Sequence, residues 1–133
     1  MTDYVFFYGT LLPRHAPPEL AEALLSLKRI GRGSAPGTLY DFGQYPGARF
    51  DADAKSSVRG EVFELSSKRT VLKLLDRYEG YDPQNYSRSL FVRRRLPVRV
   101  AGKGIVRCWA YEYNKTPKAA PVIAKGEYSQ ARA

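Results

Sequence analysis

Two runs late in the chain limit its fold more than any other feature. "YSRSLFVRRR" (86–95) and "GIVRCWAYEY" (104–113) read as two strands. "AGKG", between Val100 and Ile105, reads as the turn of a hairpin. Such a pair calls for an antiparallel sheet, and other runs offer it further strands. "YVFFY" (4–8) reads as a buried strand and "GTLYDF" (37–42) as a short one. "VRGEVFEL" (58–65) is another, with Gly60 marking a bulge, and "GQYPGA" reads as a turn.

Two segments keep helical spacing instead. Pro17 and Pro18 suit a helix start, Leu20, Leu24 and Leu27 recur at helical intervals, and Gly31 ends the run. Ser66 or Ser67 can cap a second helix, along which Val71, Leu74, Leu75 and Tyr78 form an apolar stripe. Gly80 stands where a left-handed C-terminal cap is expected. After Asn114 the pattern fades into a Pro- and Lys-containing tail. No repeat or linker divides the 133 residues, so one domain over 1–133 is expected. The fold class is α+β: a mostly antiparallel sheet able to close as a barrel, with two or more flanking helices.

Composition narrows the chemistry. One cysteine, Cys108, and one histidine, His15, exclude a disulfide framework and a Cys/His zinc site. They also exclude a Ser-His-Asp triad unless His15 is its base, and His15 lies in a Pro-rich loop. A reducing, cytoplasmic setting is expected. No run of about 18 apolar residues occurs, and "MTDYVFFYGTLLPRH" lacks the basic n-region and cleavage site of a signal peptide, so no membrane partner is expected. The net charge of +9 suits either an acidic partner such as nucleic acid or a basic solvated face. Nucleic-acid signatures are missing. In "VRRRLPVRV" (92–100), alternation sends Arg93 and Arg95 to one face and Arg94 to the other, which makes a diffuse basic surface and not a base-reading element. No specific nucleic-acid partner is expected.

One acid is oddly placed. Glu79 follows Leu72 by seven residues and Leu75 by four, which sets it on the same helix side as those leucines. It also sits in the last turn, where the helix dipole disfavours negative charge. Burial and dipole both raise a carboxyl pKa, which suits a general base working near neutral pH. The structural alternative is a surface Glu that bonds a loop amide or pairs with Arg77. A second stretch, "YGTLL" (8–12), ends the first strand with a Gly in a tight bend, where successive N–H groups can hold an anion.

Taken together, the ordered stretches "FFYGTLL", "GTLYDFGQYPGA", "VRGEVFEL" and "LDRYEGYDPQNYSR" resemble the gamma-glutamylcyclotransferase-like (AIG2-like) family. "CWAYEY" and "IAKGEY" add weaker matches, and the set spans roughly residues 4–128. The family's late Gly-Asp-Trp type ending is here Gly126, Glu127 and Tyr128, and the run Arg93 to Arg95 matches no family motif. The resemblance implies a small mixed barrel. It also implies that Tyr8, Gly9, Thr10 and Leu11 form the substrate-binding loop, that Glu79 is the catalytic acid/base, and that Tyr86 lines the pocket.

The implied reaction is intramolecular. In a gamma-glutamyl amine or gamma-glutamyl amino acid, the alpha-amine closes on the gamma-carbonyl to give 5-oxoproline and a released amine. One carboxylate suffices, because nucleophile and electrophile share a molecule and the enzyme need only hold the bent conformer. Backbone amides of 9–11 would bind either the alpha-carboxylate or the developing oxyanion. No metal or organic cofactor is implied, the partner is the small gamma-glutamyl substrate, and the chain is expected as a monomer or homodimer. Two alternatives stand beside the enzyme: a non-catalytic relative binding a small molecule in the same pocket, and a basic nucleic-acid-associated protein. Trp109, Tyr111 and Tyr113 alternate on one strand face as core or pocket wall. Cys108 faces the other way as a small buried hydrophobe, and Tyr40 and Tyr45 are candidates for the pocket border.

Overall fold

The β-rich pair at the C-terminal end forms the hairpin that its turn residues dictate. In the computed structural model, which describes residues 3–9, 18–25, 27–43, 45–65, 69–116 and 120–128, β5 (Phe91–Val100) and β6 (Gly104–Tyr113) pair antiparallel from Phe91↔Tyr113 to Val100↔Gly104. Gly102 and Gly104 supply the positive φ that the tight connection needs, at +76° and +83°.

The other strands are β1 (Tyr4–Phe7), β2 (Lys28–Asp41), β3 (Pro46–Phe50) and β4 (Ser57–Glu64); the helices are α1 (Pro18–Leu25) and α2 (Arg69–Glu79). The sheet order is β3-β2-β4-β1-β6-β5. A further pairing of β2 with β5, at Gly33↔Val100 and Ser34↔Arg99, closes five of these strands into a barrel. β1 and β6 run parallel at Val5↔Trp109, and every other pairing is antiparallel. The mostly antiparallel barrel expected from the strand-rich pattern, small and mixed as the family resemblance implies, is therefore the observed fold. None of the described helices is long and apolar enough to cross a membrane.

Several boundaries differ from the sequence reading. α1 ends at Leu25, not Gly31, because residues 28–36 ladder against β4 as the first part of a 14-residue β2. Gly31 sits at the bulge, between Arg29 and Gly31, while Gly60 lies in regular ladder. Gly60 is glycine because a Cβ there would run into the Phe7 carbonyl oxygen. "GQYPGA" is only partly turn. Phe42 N–H bonds the Tyr45 carbonyl at 3.0 Å, and Pro46 then opens β3, where a first strand residue needs no ladder N–H. Tyr86–Arg88 is a 3₁₀ turn, so the strand begins at Phe91. The caps expected at Ser66 or Ser67 lie outside the described residues.

Two cores result. Phe6, Leu39, Val58, Val62, Leu96, Val98, Cys108 and Ala110 fill the barrel interior. Val5, Phe7, Leu24, Phe63, Leu75, Phe91 and Tyr111 pack beneath the helices. Neighbours on β1 and β6 therefore alternate between two buried environments. On α2 the buried side is Val71, Leu72 and Leu75; Leu74 and Tyr78 are exposed, so the stripe turns toward Leu72. The tail returns to the barrel: Ile123 N–H bonds the Leu39 carbonyl and Asp41 N–H the Pro121 carbonyl, both at 2.8 Å.

Candidate functional site

α2 stops where its sequence says it should. Gly80 takes φ +72°; its N–H reaches the Arg77 carbonyl at 3.2 Å, and the Tyr81 N–H reaches the Asp76 carbonyl at 2.9 Å. This paired closure is a Schellman cap, and it fixes Glu79 as the last helical residue on the Leu72/Leu75 side.

Glu79 is half-buried against a cavity of about 220 Å³, whose walls include Tyr8, Gly9, Tyr45, Tyr78, Phe91 and Tyr111. Loss of water around the carboxyl group pushes its pKa up to about 8. Among the described residues it makes no hydrogen bond and no ion pair, neither with a loop amide nor with Arg77. A half-buried acid without a partner is costly to keep charged, and such groups concentrate at functional sites.

Two of the phenols that share the cavity with the acid are committed elsewhere. Tyr8 OH donates to the Tyr111 carbonyl at 2.6 Å and accepts the Ala48 N–H at 3.1 Å. Tyr111 OH donates to Asp76 Oδ1 at 2.6 Å. Asp76 is also gripped by Arg93, whose Nε meets Oδ1 at 2.9 Å and whose second nitrogen meets Oδ2 at 3.2 Å. Burial, with Glu79 as a further cause, holds the Tyr8 hydroxyl far above the usual tyrosine range. Burial, the Asp76 hydrogen bond and the Asp76 charge do the same for Tyr111. Both rings thus stay neutral, fixed walls beside the acid.

Gly9 earns its place by close approach rather than by a positive φ: a Cβ there would lie 2.5 Å from Pro46 Cγ. The structure thus brings Tyr8, Gly9 and Glu79 together on one cavity. Thr10, Leu11 and His15 lie outside the described residues. Tyr86 stands apart: it is 52% exposed on the 3₁₀ turn and is not among the described residues lining the cavity. Of the aromatic candidates, Tyr45 and Tyr111 border the cavity while Tyr40, Trp109 and Tyr113 do not. Sequence reasoning missed Phe91, Leu90 and Pro46, and it assigned Tyr78 to the core. A strand's first residue and a turn proline carry no signal for a cavity wall.

The remaining features have structural roles. Cys108 is fully buried, and burial pushes its thiol up to about 12, so it is no nucleophile. The arginine run is internally neutralised. Arg93 pairs with Asp76, Arg94 with Glu112 and Arg95 with Asp3, each at 2.9 Å. Arg93 and Arg95 also lie over Trp109, 4.5 and 4.4 Å from its ring centre. The described residues hold no group of three or more His, Cys, Asp or Glu placed to bind a metal.

The family model for gamma-glutamyl cyclotransferase, AIG2-like, matches residues 5–130. The chain belongs to this family. Solved structures similar to this AIG2-like chain carry the same fold. An AIG2-like protein of Mus musculus superposes with a TM-score of 0.70 at 23% identity, over 96% of this chain and 88% of that one. YkqA of Bacillus subtilis gives 0.67 at 22% identity, and the 96% of this chain that matches spans only 40% of YkqA. A protein named gamma-glutamyl cyclotransferase gives 0.61 at 15% identity, over 92% of this chain and 72% of that one. No curated protein matches the sequence.

Proposed function

We propose that this AIG2-like protein is a gamma-glutamylcyclotransferase that converts a gamma-glutamyl amine or gamma-glutamyl amino acid into 5-oxoproline and the free amine. Glu79 acts as the general acid/base. The observation that carries this reading is the half-buried Glu79 carboxyl, without a partner among the described residues and held at a pKa of about 8 on the same cavity as Tyr8 and Gly9.

The chemistry follows from that pKa. The substrate's alpha-ammonium cannot attack until it loses a proton, and a carboxylate of pKa near 8 is basic enough to take it at neutral pH. The freed amine attacks the gamma-carbonyl carbon, forming the lactam carbon–nitrogen bond. The protonated Glu79 then gives a proton to the old amide nitrogen as its bond to that carbon breaks. The ring nitrogen sheds its extra proton to solvent, and water is not consumed. The aromatic walls exclude water and hold the chain bent, an orientation effect that enzymes exploit fully. Backbone groups from Gly9 onward, with Thr10 and Leu11, bind the gamma-glutamyl head.

The test is direct. Purified protein is incubated with a panel of gamma-glutamyl amines and dipeptides, and 5-oxoproline is measured. Production by wild type and its loss in Glu79→Gln are expected. Background levels from both proteins across a broad panel would leave only a binding role.

A further inference from the structure

A second polar cleft, of about 410 Å³, lies on the outer face of the barrel, where β2 is flanked by β4 and β5. Phe91 borders the Glu79 cavity at one end of β5 and Arg99 borders this cleft near the other. Eight residue steps along the strand separate them, roughly 26 Å. We propose that this cleft is a separate anion site, built from Arg32, Arg59 and Arg99 around Ser34, and that its ligand is a small molecule carrying a diphosphate group.

The sheet register creates the site. Ser34 pairs with Arg59 on one side and with Arg99 on the other, so all three stand in one row across three strands. Strands lie about 4.8 Å apart, which puts the two arginine Cα atoms roughly 10 Å from each other. Arg32, two residues before Ser34, shares its face one step along the strand. Gly33, between them, points into the barrel, where a Cβ would meet Val98 and Val62 at 2.8 and 2.9 Å. Three long guanidinium stems can therefore converge above one hydroxyl.

What sets these arginines apart is that they lack an acid partner among the described residues and also stand side by side on neighbouring strands. Arg29, Arg93, Arg94 and Arg95 each pair with an acid. Arg32, Arg59 and Arg99 have no hydrogen bond or ion pair through their side chains among the described residues. Gathering unpaired like charges on neighbouring strands destabilises a sheet, and violations of local rules without structural gain concentrate at functional sites. Planar guanidinium forks match phosphate oxygens two at a time, so three of them suit two adjacent phosphate groups better than one carboxylate.

The rim argues for a small ligand rather than a nucleic-acid strand. Glu61, held by Arg29 at 3.2 Å, and Glu127 both border the cleft and interrupt any continuous basic track. Glu127 is brought there by the returning tail. Arg59 N–H bonds the Gly126 carbonyl at 2.7 Å, and Gly126, at φ +67°, packs so closely on β4 that a Cβ would strike the Ser57 carbonyl oxygen.

Calorimetric titration of the whole protein with pyrophosphate, with ADP and with a single-stranded oligonucleotide, at about 150 mM salt, tests this. Saturable one-to-one binding of pyrophosphate is expected, weakened at least about tenfold in the Arg59→Gln/Arg99→Gln double variant. Tighter binding of ADP than of pyrophosphate assigns the diphosphate to a nucleotide, and equal binding assigns it to a free diphosphate; both support the site. The same double variant is expected to match or exceed the wild-type Tm without ligand, through relief of repulsion, and to lose the Tm gain that pyrophosphate gives the wild type. No saturation with either diphosphate overturns the proposal. So does binding that the double variant leaves unchanged, or oligonucleotide affinity that exceeds both and grows with strand length.

Discussion

Tyr8 and Tyr111 are locked to each other at the floor of the cavity, the Tyr8 hydroxyl donating to the Tyr111 carbonyl at 2.6 Å. The same oxygen accepts the Ala48 N–H, so one phenol ties β1, β3 and β6 together beside the acid. Tyr8→Phe strips that buried N–H of its partner. A loss of about 1–3 kcal/mol in stability is expected, read as a lower urea midpoint with an unchanged m-value.

The pH dependence of Glu79 has a definite sign. Its folded pKa of about 8 lies above its ordinary 4.5, so the folded protein holds a proton that the unfolded chain releases. Stability from this group is intact below pH 4.5 and falls as pH rises from there to about 8. Denaturation midpoints between pH 5 and 9 should show that slope, and Glu79→Gln should flatten it. For the proposed reaction the direction is opposite, because Glu79 must be deprotonated to act as its base: kcat/KM should rise toward pH 8. Glu79→Gln is expected to lower kcat by at least about 100-fold.

Much of this was legible in the residues. The hairpin turn was named by its glycines, and α2 by its cap at Gly80 and by Leu72 and Leu75, which together implied which way Glu79 leans. Gly9 and Glu79 could be paired only through an ordered set of motifs, since seventy residues separate them and local patterns carry no tertiary proximity. The front half of β2 was hidden for a different reason. "KRIGRGSAP" has too many glycines and charges for a strand by propensity, and only its ladder with β4 and β5 makes it one. The acids that neutralise Arg93, Arg94 and Arg95 come from α2, β6 and the start of the chain, so no reading of the run itself reveals them.

Gly9 offers a test of shape without charge. In Gly9→Ala the new methyl meets the Pro46 ring at 2.5 Å, and both residues line the cavity. Pro46 opens β3 and is buried, so its rigid ring gives way only by moving the wall. A destabilisation of about 1–3 kcal/mol is expected, as for overpacking elsewhere. KM for the proposed gamma-glutamyl substrate should rise more than kcat falls, because the acid itself stays in place.

Asp76 sets the last expectation, because three donor atoms converge on its two oxygens. Arg93 supplies two of them and Tyr111 the third, and the Asp76 and Arg93 side chains are only 13% and 19% exposed. Arg93→Met leaves a largely buried carboxylate facing one hydroxyl, and about 2–4 kcal/mol should be lost. Arg93→Lys keeps the charge but not the fork, so it should recover only part of that. Tyr111→Phe removes a single bond and should cost about 1–2 kcal/mol. The Arg93→Met/Tyr111→Phe pair should be non-additive, since both act through the same carboxylate, and a double-mutant cycle by urea denaturation measures the coupling. Additive losses would mean that Asp76 does not join the arginine to the cavity wall.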